Sequence, residues 1–126
     1  MKKVILALSI VLGLAATARS HAQQPVYVPN AESCVSVRNG NGGGKTFYNN
    51  CSNKIYVAAY ANDNLQFDGY HYGGHIDDIP GNAGSRYKYF ACPANALPMD
   101  GSDSSQPASS STTSYRCQTL ASGGHL

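Results

Sequence analysis

Tryptophan is absent from this 126-residue chain, glutamate occurs once, at Glu32, and charged residues make up only 13% of the sequence. Each shortage removes a class of function. Without tryptophan, the strongest stacking platform for a sugar ring is missing. No G-x-S-x-G motif is present and the single glutamate falls in a polar stretch, so a hydrolytic acid, base and nucleophile are not assembled. Beyond the first twenty residues the basic side chains stand singly, at Arg38, Lys45, Lys54, Arg86, Lys88 and Arg116. No concentrated positive face exists to hold nucleic acid or an anionic membrane. No apolar run reaches the roughly 20 residues that span a bilayer, and past the first segment no stretch carries a helical stripe of three turns.

What is present begins with an export pattern. Lys2 and Lys3 precede the apolar run VILALSIVLGLAATA, and Ser20-His21-Ala22 supplies small residues where a signal peptidase reads. This predicts a signal peptide over 1–22 with cleavage at Ala22, Ala18 being the alternative site. No cysteine closely follows the apolar run, so a lipid anchor is not indicated. Removal takes away Lys2, Lys3 and Arg19, so 6 basic residues face 7 acidic ones and the formal charge moves from +2 to −1. The expected location is periplasmic or extracellular, with no membrane insertion after signal removal. The remaining 104 residues, 23–126, suit one domain with a thin core. They hold only 12 Val, Ile or Leu but all 9 tyrosines and 3 phenylalanines, so aromatic rings must supply much of the buried area.

The stretch NGNGGGKTFYNNC, Asn39 to Cys51, contains GGGKT and superficially suggests a phosphate-binding loop. The P-loop pattern G-x-x-x-x-G-K-[ST] requires glycine at position 39, where the chain has Asn39. The context fails too, because KTFYNN is β-prone and turn-like rather than the start of a helix. CVSVR, a glycine-rich turn and KTFYNNC instead predict a β-hairpin. With the turn centred near Asn41 or Gly42, Cys34 and Cys51 come to rest almost opposite each other. Four cysteines allow three pairings. Symmetry about the turn favours Cys34 with Cys51, which leaves Cys92 with Cys117, and two disulfides fit an exported scaffold of this size.

NKIYVAAY places Ile55, Val57 and Ala59 on one parity and Tyr56, Ala58 and Tyr60 on the other, which predicts a strand covered on both faces. Ala61 to Asn64 breaks it, and FDGYHYGGHIDDIPGNAGS is dense with turn residues, with His75 to Ile79 as a short strand. SRYKYFAC alternates again. The fold class is all-β: a small disulfide-stapled antiparallel β-sandwich or barrel-like sheet with a long Ser-rich loop. The expected organisation is a loose N-terminal segment 23–33, a single β domain 34–118 with a mobile loop 99–114, and a loose tail 119–126. MDGSDSSQPASSSTTS, within that loop, is almost free of large apolar residues to offset its ordering entropy.

Two groups of residues carry candidate chemistry. Asp68, His71, His75, Asp77 and Asp78 fall close together, and histidines with carboxylates are the ligand types of zinc, copper or nickel. Gly73 and Gly74 argue against a helix that would align the two rings, so the bland alternative is a polar surface turn. Tyr56, Tyr60, Tyr70, Tyr72, Tyr87 and Tyr89, interleaved with Asn and Asp, have the composition of a recognition surface. About half of them are expected in the core instead, because a sheet must bury one face.

The run C-V-S-V-R, glycine-rich turn, T-F-Y-N-N-C-S-N-K-I-Y-V, then I-P-G, Y-F-A-C-P and Y-R-C resembles a broad set of small, exported, cysteine-paired bacterial proteins of unassigned function. The shorter piece TFYNNCSNKIYVAA is similar to the opening strands of thaumatin-like proteins, which are disulfide-rich β-sandwiches. Both resemblances imply a scaffold and neither implies an active site. The expected function is a non-enzymatic binding or interaction module without a cofactor, whose partner is a protein or glycan in the envelope or outside the cell. The alternative is a metal-binding or metal-dependent hydrolytic protein using the loop from Asp68 to Asp78.

Overall fold

The computed structural model describes residues 26–81 and 86–119. The expected signal peptide 1–22, its cleavage site at Ala22 and the tail beyond Thr119 lie outside the described residues. The fold is all-β: among the described residues nine strands form three antiparallel three-stranded sheets.

The glycine-rich hairpin forms first in sequence. β2 (Val35–Asn39) pairs with β3 (Lys45–Asn49) in the register Val35↔Asn49 to Asn39↔Lys45. Between them the chain makes a single 3-10 turn at Asn41–Gly43, with φ of 69° at Gly42 and 84° at Gly43. Those positive angles are what glycine permits at little cost. The turn is clamped from outside as well, since a Cβ on Gly81 would collide with the Gly42 carbonyl oxygen. At the open end Cys34 and Cys51 are bonded, their Cα atoms 5.2 Å apart. β6 (Gly74–Ile79) adds to the far side of β3.

The second sheet has β4 (Ile55–Ala61) at its centre, flanked by β5 (Asn64–His71) and β7 (Tyr87–Pro93). The polar break expected at Ala61 to Asn64 is a two-residue hairpin turn: Asn62 and Asp63 both have positive φ, 49° and 66°. Asn and Asp are the non-glycine residues that best tolerate this turn, whose twist matches the strands it joins. FDGYH, read from sequence as turn-rich, is instead the second half of β5. Its ladder to β4 runs without interruption from Ala59↔Phe67 to Ile55↔His71, and Gly69 within it takes a positive φ of 145°, which glycine permits. Local turn composition lost to cross-strand pairing.

Phe47 of β3, Ile55, Val57, Ala59 and Ala61 of β4, Ile76 and Ile79 of β6, and Ala91 of β7 form one buried cluster between these two sheets. Phe47 is fully buried and meets the rings of Phe67 and Tyr89 edge-on, at 5.3 and 5.7 Å. Small alanines on β4 and large rings on its neighbours fill the space that the missing aliphatics would otherwise occupy.

The third sheet orders β1 (Val26–Val28), β9 (Tyr115–Thr119) and β8 (Ala96–Asp100). Part of the segment 23–33 expected to be loose is thus a strand, because alternating Val-Tyr-Val can pair with the open edge of β9. Cys92 of β7 is bonded to Cys117 of β9 and ties this sheet to the other face of the β4 sheet. Both sulfurs are buried with Ala96. Both faces of β4 are therefore covered, as its two apolar parities imply: every residue of the strand is buried except Tyr56 and Tyr60, which are half-buried.

The Ser-rich segment starts inside β8, since Met99 and Asp100 are strand residues. Its remainder is laced by local bonds. Asp100 accepts from the backbone N–H and hydroxyl of Ser102, Asp103 does the same for Ser105, and Ala108 N–H donates to the Pro98 carbonyl at 3.0 Å. Thr112 is buried, and its carbonyl and that of Ser110 accept from the Lys88 ammonium, at 3.2 and 2.6 Å. A backbone that satisfies itself through Asx turns needs few apolar side chains to hold its course.

Candidate functional site

β4 sorts the tyrosines by parity. Residues paired with its outward parity, Tyr56↔Tyr70 and Ala58↔Asp68, share the face away from the Phe47 cluster. Tyr56 and Tyr70 meet edge to face at 5.3 Å. The Lys54 ammonium extends this row, 5.4 Å from the Tyr70 ring and 5.5 Å from that of Tyr72. Tyr72 is 72% exposed and Tyr70 37%, so the end of the row is open to a partner. Tyr60 continues the same parity at the other end, with its ring 5.8 Å from Phe90.

Tyr87 and Tyr89 leave this group. Tyr89 packs against Phe47 in the core, and burial followed by the nearby Glu32 charge raises its pKa. Tyr87 is exposed beneath the Lys45 ammonium, 5.0 Å from the ring centroid. Four of the six candidate tyrosines therefore share one face.

That face is also a groove. Tyr56, Ala58, Tyr60 and Asp68 form one wall, and Leu97, Pro98 and Met99 of β8 with Pro107 and Ala108 form the other, around a cavity of about 210 Å³. The Tyr56 hydroxyl donates to the Asp68 carboxylate at 3.3 Å. Burial, then the Asp68 charge, pushes the Tyr56 pKa up to about 12, and the same two causes raise that of Tyr60. Both phenols stay neutral through the physiological range, so they act as rings with hydroxyl handles and not as bases.

The cluster expected from Asp68 to Asp78 is dispersed. Asp68 pairs across from Ala58 and His71 from Ile55, so the two lie on opposite faces of β5. His71 sits at the core side with its Nε2 buried and without a hydrogen-bond partner among the described residues. Burial lowers its pKa, opposed by the charge of Asp77. His75, on β6, bonds Asp78 through Nε2 at 3.1 Å in an exposed pair. Hydrogen bonds from His75 and then Thr46 hold the Asp78 carboxyl below its ordinary value. Asp77 accepts instead from the backbone N–H of Asp78. No group of three or more His, Cys, Asp or Glu among the described residues is placed to hold a metal ion. A hairpin would have kept the histidines together, but residues 72–73 carry the chain from one sheet to another and separate them.

At the glycine turn, the Lys45 ammonium donates to the Asn39 side chain at 2.6 Å. Gly44 is buried against Ile79, where a Cβ would strike the Ile79 carbonyl oxygen. The glycines here serve a close backbone approach. All four cysteines are bonded and supply no thiolate.

The second wall of the groove escaped sequence reasoning. Met99, Pro107 and Ala108 fall within the segment that composition marks as low-complexity, and Pro107 meets Met99 through an isolated bridge. The one local signal was the pair of prolines at 98 and 107, which neither a helix nor a central strand accommodates. Compared with family models, with curated proteins and with solved structures, the chain has no match in any of the three.

Proposed function

We propose that this protein is a small exported binding module without catalytic activity, whose recognition surface is the tyrosine row on the outer face of the β4 sheet. The observation that carries this reading is the continuity of Tyr72, Lys54, Tyr70 and Tyr56: the Tyr56 and Tyr70 rings meet, and the Lys54 cation bridges the Tyr70 and Tyr72 rings, half open to solvent. Tyrosines present large, stiff contact area at low entropic cost and keep a hydroxyl available, which is why recognition surfaces favour them. Two disulfides fit function in an oxidising compartment, the periplasm or the outside of the cell. No helix among the described residues is long and apolar enough to cross a membrane. A protein or glycan of the envelope or the extracellular space is the partner class.

The test is affinity capture from an envelope fraction, comparing the disulfide-intact protein with a Tyr70→Ser, Tyr72→Ser double variant. Both rings are exposed, so the variant should fold. The proposal expects a defined partner retained by the wild type and lost by the variant; identical captured sets would sink it.

A further inference from the structure

We propose that the groove beside the tyrosine row binds the head group of a small soluble quaternary ammonium compound, held between Tyr56 and Tyr60 over Ala58 with Asp68 as counter-charge. The inference rests on the binding-module reading and names a ligand for the groove rather than for the exposed end of the row.

Four observations build the site. The first is spacing: Tyr56 and Tyr60 are four residues apart on one strand, about 13 Å along it, with Ala58 midway on the same face. A cation above Ala58 then stands near the reach of both rings, since attraction to a ring face extends to about 6 Å from its centroid. Any larger residue at 58 would fill that gap. The second is orientation: Tyr56 is held against Tyr70, and Tyr60 against Phe90, so neither ring must be ordered on binding.

The third is charge. Asp68 lines the groove, pairs in register with Ala58, and bears on both phenols. Among the described residues the ion pairs are His75 with Asp78 and Arg86 with Asp63, so Asp68 has no cationic partner of its own. The nearest lysines are committed elsewhere: Lys88, opposite Tyr60 on β7, donates to the carbonyls of Ser110 and Thr112, and Lys54 lies over Tyr70 and Tyr72. The fourth is the opposite wall, where Leu97, Pro98 and Met99 present apolar atoms and a thioether. Such a wall favours a cation dressed in methyl groups over a hydrated inorganic ion, whose water shell it cannot replace. At about 210 Å³ the space is below the ~300 Å³ at which drug-sized sites begin, which limits the ligand to a head group.

The experiment is a titration with choline chloride followed by backbone amide NMR shifts, with sodium chloride at matched ionic strength and the neutral isostere 3,3-dimethylbutan-1-ol as controls. The expected result is saturable shifts centred on Tyr56, Ala58, Tyr60 and Met99, with the isostere binding at least about tenfold more weakly. Asp68→Asn and Tyr60→Ala should each weaken choline binding by about tenfold, whereas Tyr60→Phe, which keeps the ring, should retain it. Asp68 is exposed, so its variant stays informative even where Tyr60→Ala fails to fold. Equal binding of the isostere, wild-type affinity in Asp68→Asn, or pelleting with phosphatidylcholine vesicles without binding of free choline would each overturn the proposal. A silent choline titration alongside partner capture that depends on Tyr70 and Tyr72 would overturn this inference alone and leave the module reading standing.

Discussion

Asn49 is 2% exposed at the end of β3, and its side chain makes three hydrogen bonds. Its amide nitrogen donates to the carbonyls of Asn53, at 2.9 Å, and His71, at 3.2 Å, while its oxygen accepts from the Cys51 N–H at 3.0 Å. One residue thus joins the hairpin, the disulfide loop and the end of β5. Asn49→Ala removes three hydrogen bonds, each worth about 1 kcal/mol net, and strands their partners, so we expect a loss of about 3 kcal/mol or somewhat more. Against a total near 5–15 kcal/mol this is a large fraction, and at about 4–8 °C per kcal/mol the melting temperature should fall by more than about 12 °C. Asn49→Asp is the sharper probe. It keeps the acceptor for Cys51 but turns a donor into a second oxygen facing two carbonyls, so the buried carboxyl holds its proton and its folded pKa rises above its unfolded one. The folded state then binds more protons, and its stability relative to wild type falls as pH rises through the carboxylate range. Urea unfolding of wild type and both variants at acid and neutral pH measures this. An Asp variant whose deficit does not grow toward neutral pH, or an Ala variant within about 0.5 kcal/mol of wild type, would refute the role given to this side chain.

Breaking the Cys92–Cys117 bond by a double alanine substitution should cost about 3.5 kcal/mol from its 25-residue separation, and chemical unfolding reads the loss. Peptide mapping should find no free thiol and no link between Cys34 and either Cys92 or Cys117. Lys45 is engaged with Asn39 and Tyr87, so ATP should leave the melting temperature unchanged in wild type and in Lys45→Ala; a clear rise in wild type would restore the phosphate-loop reading of the glycine turn. His71 has its pKa lowered by burial, so the unfolded chain binds the extra proton first and stability should drop as pH falls below the ordinary value of 6.5. His71→Gln should flatten that limb, and pH-dependent melting of the pair checks it.

The elements whose neighbours in space are also neighbours in sequence were legible. VSVRN and KTFYN pair across five residues, and the glycine turn between them fixes the register that brings Cys34 to Cys51. The two apolar parities of β4 gave away that both its faces are covered before any partner strand was known. FDGYH was misjudged because Asp, Gly and His carry turn propensity, whereas what holds it extended is a ladder to Tyr56 and Val57, set by the Asn62-Asp63 turn. Turn residues flanked by a pairing edge do not make a turn. The same cause misplaced the histidines: their sequence spacing is close, but the strand between Phe67 and His71 gives Asp68 and His71 opposite faces.

The groove was illegible for a different reason, and that reason bears on how the surface is built. The Ser-rich segment, expected to be mobile, holds few apolar side chains. Order there comes instead from Asp100 and Asp103 capping the backbone two residues on, from Ala108 bonding Pro98, and from Lys88 gripping two carbonyls. None of these contacts reaches the Phe47 cluster. The loop therefore sets the width of the groove through Met99, Pro107 and Ala108, while the core that supports Tyr56 and Tyr60 depends on β3, β4 and β7. Side-chain substitutions at Pro107 and Ala108 can alter what the groove admits at little cost to folding, whereas a larger residue at Ala58, buried on the strand wall of the groove, would crowd the sheet as well.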